Sequence, residues 1–177
     1  MDIRPLRLPE DVEALASLDP GSSSDTVLEV TTSEQGFVIS EVPVDSPVTK
    51  RHEFVSDLSD PDRMWTDAYV ALEGQTAVGF ASTVYHPWNR RQVLWQLYVD
   101  RRQRGRGVGR RPTDVIEECA LVNGARQLWL ETQNTNVPAV RAYRAMGFQL
   151  VGLDRTLYDG DVSNETALYF ARTLAPA

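Results

Sequence analysis

The 177-residue sequence has one cysteine, Cys119, only two histidines, His52 and His86, and no run of 18 apolar residues. A lone cysteine excludes an internal disulfide, and inside a helical pattern it reads as a buried, inert thiol. The two histidines stand too far apart in the sequence to form a recognisable ligand pair, so no metal is expected. Without a long apolar run, or an apolar stretch behind Met1-Asp2-Ile3-Arg4-Pro5, neither a membrane span nor a signal peptide is expected. The expected compartment is the cytoplasm. Net positive charge is missing too: the formal charge is −7 and the pI about 4.8. Nucleic acid is therefore an unsuitable partner, because phosphate affinity needs a broad basic face. A small cationic molecule suits an acidic chain better.

What the sequence does hold is 42% hydrophobic residues, enough for the core of a single domain over residues 1–177. It also concentrates arginine: six of the eleven residues from Arg101 to Arg111 are arginine. The preceding segment, Val93 to Val99, is apolar and aromatic and reads as a strand, while Gly105, Gly107 and Gly109 form a loop of unusual backbone freedom. A helical pattern follows from about Gly109 to Asn123. A strand feeding a glycine loop at a helix N-terminus points unpaired N–H groups at an anion, which makes a phosphate cradle.

The other elements arrange themselves around this one. Asp2–Leu8 reads as a first strand and Val12, Leu15, Ala16 and Leu18 as the apolar side of a short helix. Thr26–Thr31 and Gly36–Val42 read as paired strands, with Pro43 to Pro47 breaking the pattern. Acidic residues gather between Asp25 and Asp62, either as a wet surface or as an acidic pocket. Ala68–Leu72, Thr76–Val84 and Val93–Val99 read as an antiparallel meander with short turns. Leu128–Thr132 is a buried strand reached by a crossover helix, hence parallel to the strand before the glycine loop. Pro138–Met146 is a third helix closed by Gly147, and Gln149–Gly152 and Thr166–Leu174 are further strands. The fold class is α/β, with a mixed, mostly antiparallel sheet.

The loop is not a Walker A sequence, since no Gly-Lys-Ser/Thr occurs, and Arg110 stands where a dinucleotide fingerprint needs its third glycine. The pattern Gln/Arg-x-x-Gly-x-Gly fits Arg102-Gln103-Arg104-Gly105-Arg106-Gly107. Downstream, Asn136-Val137-Pro138-Ala139-Val140-Arg141-Ala142-Tyr143 supplies Asn-x-x-Ala-x-x-x-Tyr, followed by Gly147-Phe148. With both motifs in this order, Leu94 to Phe148 resembles the GCN5-related N-acetyltransferases (GNAT), which use acetyl-CoA to acetylate primary amines; the resemblance implies a sheet of six to seven strands with a splayed parallel pair, flanked by about four helices. A narrower likeness, in Leu130-Glu131-Thr132-Gln133-Asn134-Thr135-Asn136, Gly152-Leu153-Asp154, Leu157-Tyr158 and Asn164-Glu165-Thr166-Ala167, is to the streptothricin acetyltransferases.

The resemblance implies a set of roles. Acetyl-CoA would be held by Leu97, Tyr98 and Val99 on the splayed strand, by Gln103, Arg104, Gly105, Arg106, Gly107, Val108, Gly109 and Arg110 in the loop, and by Asn136, Ala139 and Tyr143. The pyrophosphate would sit mainly on backbone amides, and a backbone N–H at Leu97 or Val99 would polarise the thioester oxygen. The acceptor must be a neutral amine, so a base is needed: Glu131 is the candidate, with a structural carboxylate as its other reading and Asp154 or Glu165 as substitutes acting through water. Tyr143 would protonate the departing thiolate, its other reading being a core aromatic. For the cationic acceptor, the carboxylates Glu41, Asp67, Asp154 and Glu165 and the aromatic rings Trp65, Trp88 and Tyr158 are the candidates. A homodimer is the assembly to test. A polyamine or peptide acceptor and a catalytically idle acyl-CoA-binding module are the alternative functions. Pro112 departs from the family pattern; the helix tolerates it only if it starts near Arg110, and weakened cofactor binding is the expected consequence.

Overall fold

The computed structural model describes residues 1–158 and 164–174. Seven strands form the main sheet: β1 (Asp2–Pro5), β4 (Asp67–Glu73), β5 (Thr76–His86), β6 (Arg91–Val99), β7 (Gln127–Gln133), β8 (Gln149–Asp154) and β9 (Ala167–Thr173). Their order is β1-β4-β5-β6-β7-β9-β8. A separate two-stranded ribbon joins β2 (Ser22–Ser33) to β3 (Gly36–Lys50). The described helices are α1 (Val12–Ala16), α2 (Arg110–Val122) and α3 (Val137–Ala145), with 3₁₀ turns at Ser56–Ser59 and Arg101–Gln103. The meander β4-β5-β6 is antiparallel throughout, and β6 pairs in parallel with β7 through Arg91–Gln127, Gln92–Leu128 and Val93–Trp129. The mixed, mostly antiparallel α/β sheet follows from the crossover that α2 makes between β6 and β7.

The chain divides into two compact units. The first comprises Met1–Gly21, Arg51–Trp129 and the residues from Thr173. Its core has two faces because β4 buries both: Ala68, Val70 and Leu72 pack with Leu15, Phe54, Leu58, Trp65 and Phe80, whereas Ala71 packs with Val78 and Val108 on the other side. Trp65, expected to face a ligand, is instead part of this core, 5% exposed with its ring edge-on to Phe80. An indole of that size contributes more by burial than any solvent-facing position would allow. In β6 the register steps from Ser82–Gln96 to Thr83–Leu94, leaving Trp95 as the extra residue of a bulge.

The second unit comprises Ser22–Lys50 and Leu130–Arg172. Here the sequence reading of the ribbon needs correction. Pro43 and Pro47 do not end the strand; β3 continues to Lys50. The register moves from Ser24–Val48 to Thr26–Pro43, so the two prolines flank an irregularity where the ladder N–H groups they lack are not required. The ribbon is anchored by β2, whose buried Leu28 donates its N–H to Asn134 O at 2.9 Å. α3 packs on β2 through buried Val137 and Val140.

Candidate active site

The glycine loop of the first unit is built on Asp100. This residue is 2% exposed, and its carboxylate accepts from Arg102 N–H, Nε and Nη2, each at 2.9 Å, and from Asp19 N–H at 3.2 Å. The Arg102 guanidinium therefore holds the Asp100 carboxyl well below the usual carboxylate range. Arg104 donates to Val99 O at 3.2 Å and Pro20 O at 2.8 Å, Arg106 donates to Gln103 Oε1, and Arg101 lies 3.5 Å from Asp19. Four of the six arginines thus brace the loop.

Gly105 and Gly107 have φ of +74° and +77°, backbone that favours glycine, and a Cβ at either would meet nothing within 4 Å. Gly109 is small for another reason: its φ is −70°, but a Cβ there would lie 3.3 Å from Val99 Cγ2 and 3.9 Å from Leu97 Cδ2. Val108 pins the loop to the sheet from within the small Ala71–Val78 cluster. Tyr98 turns its ring inward against Phe54 (4.8 Å) and His52 (5.3 Å), so only its backbone suits a ligand. α2 begins at Arg110, which places Pro112 at its third residue, in the first turn, where N–H groups have no intrahelical partner. Its ring is buried. Cys119 is half-buried rather than buried, its thiol 2.9 Å from Tyr69 Oη.

In the second unit, Asn136, Ala139 and Tyr143 lie at i, i+3 and i+7 along α3 and share a face. Asn136 occupies the N-cap position but makes no side-chain cap bond, and Pro138 at the second helical residue has no N–H to offer one. Its Oδ1 is buried without a hydrogen-bond partner among the described residues. Such an acceptor costs stability unless a ligand N–H fills it. The Tyr143 ring is half-buried, edge-on to Phe148 at 5.9 Å and tilted to Phe170 at 6.4 Å.

The same unit gathers a polar cluster. Tyr158 Oη donates to Glu131 Oε1 and accepts from Gln133 Nε2 at 2.9 Å. Glu165 accepts from Lys50 Nζ at 2.6 Å and from Thr135 Oγ1. Burial pushes the Glu131 carboxyl above its ordinary range, with the Tyr158 hydrogen bond and the Lys50 charge opposing and Glu165 adding to the rise. Burial and the neighbouring Glu131 push the Tyr158 phenol up. Beside them is a cavity of about 450 Å³ lined by residues including Glu29, Arg155, Tyr158, Asn164 and Glu165.

Residues 33–148, more than half of the chain, match the acetyltransferase (GNAT) family. The chain belongs to the GNAT family. A streptothricin acetyltransferase from Streptomyces lavendulae is 36% identical over 178 residues, covering 92% of this chain and 90% of its own. A second, from Escherichia coli, is 35% identical over 147 residues, covering 81% and 80%. A crystal structure of nourseothricin acetyltransferase superposes with a TM-score of 0.85 at 40% identity, covering 98% of both chains. A Bacillus anthracis protein solved with acetyl coenzyme A is 24% identical and shares the fold, with a TM-score of 0.82 over 97% of this chain and 98% of its own.

The protein is thus an acetyl-CoA-dependent acetyltransferase. Its residues fit that co-substrate: the positive-φ glycine loop leading into α2 suits a pyrophosphate, and the orphaned Asn136 Oδ1 suits an amide N–H of the pantetheine arm. Of the acceptor-side residues read from the sequence, the structure brings Tyr158 and Glu165 to the cavity and joins Glu131 to Tyr158. The others lie elsewhere. Glu41 is exposed and paired with Arg141, Asp67 accepts from Thr66 Oγ1 at 2.7 Å, Asp154 closes a turn with Thr156 N–H at 2.7 Å, and Trp88 is 84% exposed in the β5–β6 turn. Sequence reasoning missed Lys50, Gln133, Thr135 and Arg155 as cluster or cavity residues, whereas Glu29 was among the acidic residues read as either a wet surface or an acidic pocket. Lys50 carried a signal: it is the sole lysine among 18 basic residues. No helix among the described residues is long and apolar enough to cross a membrane.

Proposed function

We propose that this GNAT enzyme acetylates a primary amine of a small cationic acceptor of the streptothricin type, with the two compact units working as one acetyltransferase domain. The observation that carries the reading is the Glu131 carboxyl, raised by burial and tied through Tyr158 to a cavity that holds both signs of charge. Glu29 and Glu165 there suit ammonium groups, while Arg155 and Asn164 offer donors to carbonyl oxygens. An acceptor with both amines and amide carbonyls suits such a lining, as a β-lysyl antibiotic has.

Acetyl-CoA supplies the acetyl group as a thioester, whose C–S bond breaks as the C–N bond to the acceptor forms. Glu131, directly or through one water, takes the proton the amine must lose, and its raised titration makes it a better base near neutral pH. The Tyr143 hydroxyl gives a proton to the departing thiolate sulfur. The loop amides at Gly105 and Gly107, together with Arg110 at the start of α2, hold the pyrophosphate. The Leu97 or Val99 N–H is assigned to the thioester oxygen.

Thiol release from acetyl-CoA, measured across streptothricin, polyamines and a lysyl peptide, tests the acceptor. Streptothricin is expected to give the highest kcat/KM. Preference for a polyamine or peptide would overturn the acceptor, and tight acetyl-CoA binding with no accelerated release by any amine would overturn the enzymatic reading.

A further inference from the structure

The Tyr158 hydroxyl has its proton direction fixed by its neighbours. An amide NH₂ can only donate, so Gln133 Nε2 at 2.9 Å occupies a phenol lone pair. The phenol hydrogen is then committed to Glu131 Oε1, the acceptor on its other side. The result is a one-way chain, Gln133 to Tyr158 to Glu131, that ends on a carboxylate and, among the described residues, engages only one of its oxygens. Gln133 and Glu131 alternate on β7 and therefore point to the same face, two residues apart, which is what lets one phenol bridge both. Tyr158 arrives from the segment beyond β8.

We propose that Tyr158, aimed by Gln133, is a positioning residue for Glu131: it clamps Oε1 and leaves Oε2 as the oxygen that receives the acceptor's proton. This rests on Glu131 being the base. A carboxylate with free χ3 rotation would present either oxygen in a range of directions, and proton transfer needs heavy-atom distances of about 2.6–3.2 Å. The clamp narrows that range without neutralising Glu131, because a phenol in this setting keeps its proton.

The charged and titratable groups facing Glu131 are Tyr158 from the segment after β8, Lys50 at the end of β3, Glu165 ahead of β9 and Tyr169 on β9. Lys50 and Tyr158 favour the carboxylate form, whereas burial and Glu165 favour the protonated form. Removing the Tyr158 hydroxyl deletes one of the two interactions that favour the ionised form of Glu131. Its titration must then move to higher pH, and activity must fall most at low pH and recover as pH rises.

The experiment compares wild type with Tyr158→Phe and Gln133→Ala by two readouts: the acid limb of kcat/KM with streptothricin and acetyl-CoA, and a carbon-13 NMR titration of carboxyl-labelled glutamate in the protein without substrate. Tyr158→Phe is expected to raise both midpoints by about one pH unit, since a hydrogen bond to a charged group is worth that order. Gln133→Ala, which frees the phenol to turn away, is expected to shift both in the same direction by less. An unchanged Glu131 titration in both variants, with activity lowered equally at every pH, overturns the proposal. Glu131→Gln separates the two readings: full activity with the wild-type acid limb overturns the base assignment itself, whatever Tyr158 does to the carboxyl. Should Tyr158→Phe fail to fold, Gln133→Ala carries the same test.

Discussion

Arg102 folds back onto Asp100, its Nε and Nη2 each 2.9 Å from a different carboxylate oxygen and its own N–H 2.9 Å from Oδ1. The loop is thus charged but internally satisfied at its base. Asp100→Ala removes the shared acceptor of Arg102 N–H and Asp19 N–H and is expected to cost about 2 kcal/mol, or ~6 °C in Tm, by thermal denaturation. The folded carboxyl titrates below its unfolded value, so its contribution is present above about pH 4 and lost as pH falls toward the folded value. Asp100→Asn should therefore flatten the acid side of a Tm-versus-pH curve.

Gly107→Ala tests whether conformation or space governs the cradle. With φ at +77° and open surroundings, the cost is the left-handed backbone alone, about 1 kcal/mol. The expected result is an acetyl-CoA KM raised about tenfold with little change in Tm, because relaxation of the loop tip destroys the amide array before it disturbs the core. An unchanged KM would place the phosphate elsewhere.

Pro112 sits in the first turn of α2 with its ring buried. Its missing N–H belongs to the set a helix never satisfies internally, so replacing it cannot recover the ~3 kcal/mol that an interior proline costs. Pro112→Ala is instead expected to lower stability by about 1 kcal/mol through lost apolar contact. A rise in Tm would mean that the helix is strained there. Pro112→Leu, assayed for CoA affinity, checks whether this residue weakens cofactor binding.

Asn136→Ala removes a buried acceptor that has no protein partner among the described residues. Unliganded stability should hold or rise slightly, while acetyl-CoA affinity falls about fivefold, the worth of one hydrogen bond. Isothermal calorimetry against a Tm measurement separates the two effects.

Tyr143→Phe keeps the ring contacts with Phe148 and Phe170 and deletes only the hydroxyl. A fall of about 10²-fold in kcat, with Tm within 2 °C and acetyl-CoA affinity retained, is the expected signature of a lost proton donor. Unchanged turnover would return Tyr143 to a packing role.

The site was unevenly legible from the sequence. Gly105 and Gly107 were readable because only glycine sits comfortably at positive φ, and Pro138 because a fixed φ suits a helix start. The roles of Arg102, Arg104 and Arg106 were not readable, since a charge in a sequence does not name its partner: Arg102 and Arg106 turned to their own loop, and Arg104 to Val99 O and Pro20 O. Trp65 was misread for a similar reason: hydrophobic periodicity is silent across an irregular stretch, and its place in the core depends on Phe54 and Phe80.

The amino-acid sequence by itself determined the local geometry: strand alternation, the glycine loop, the crossover helix and the Asn136–Tyr143 face, all set by backbone sterics and periods of two and 3.6 residues. Only the tertiary structure decided which polar groups meet. Lys50 reaches Glu165 across 115 positions and Tyr158 reaches Glu131 across 27. Partners that far apart are chosen by how strands pack and what burial leaves unsolvated, and no local pattern encodes that choice.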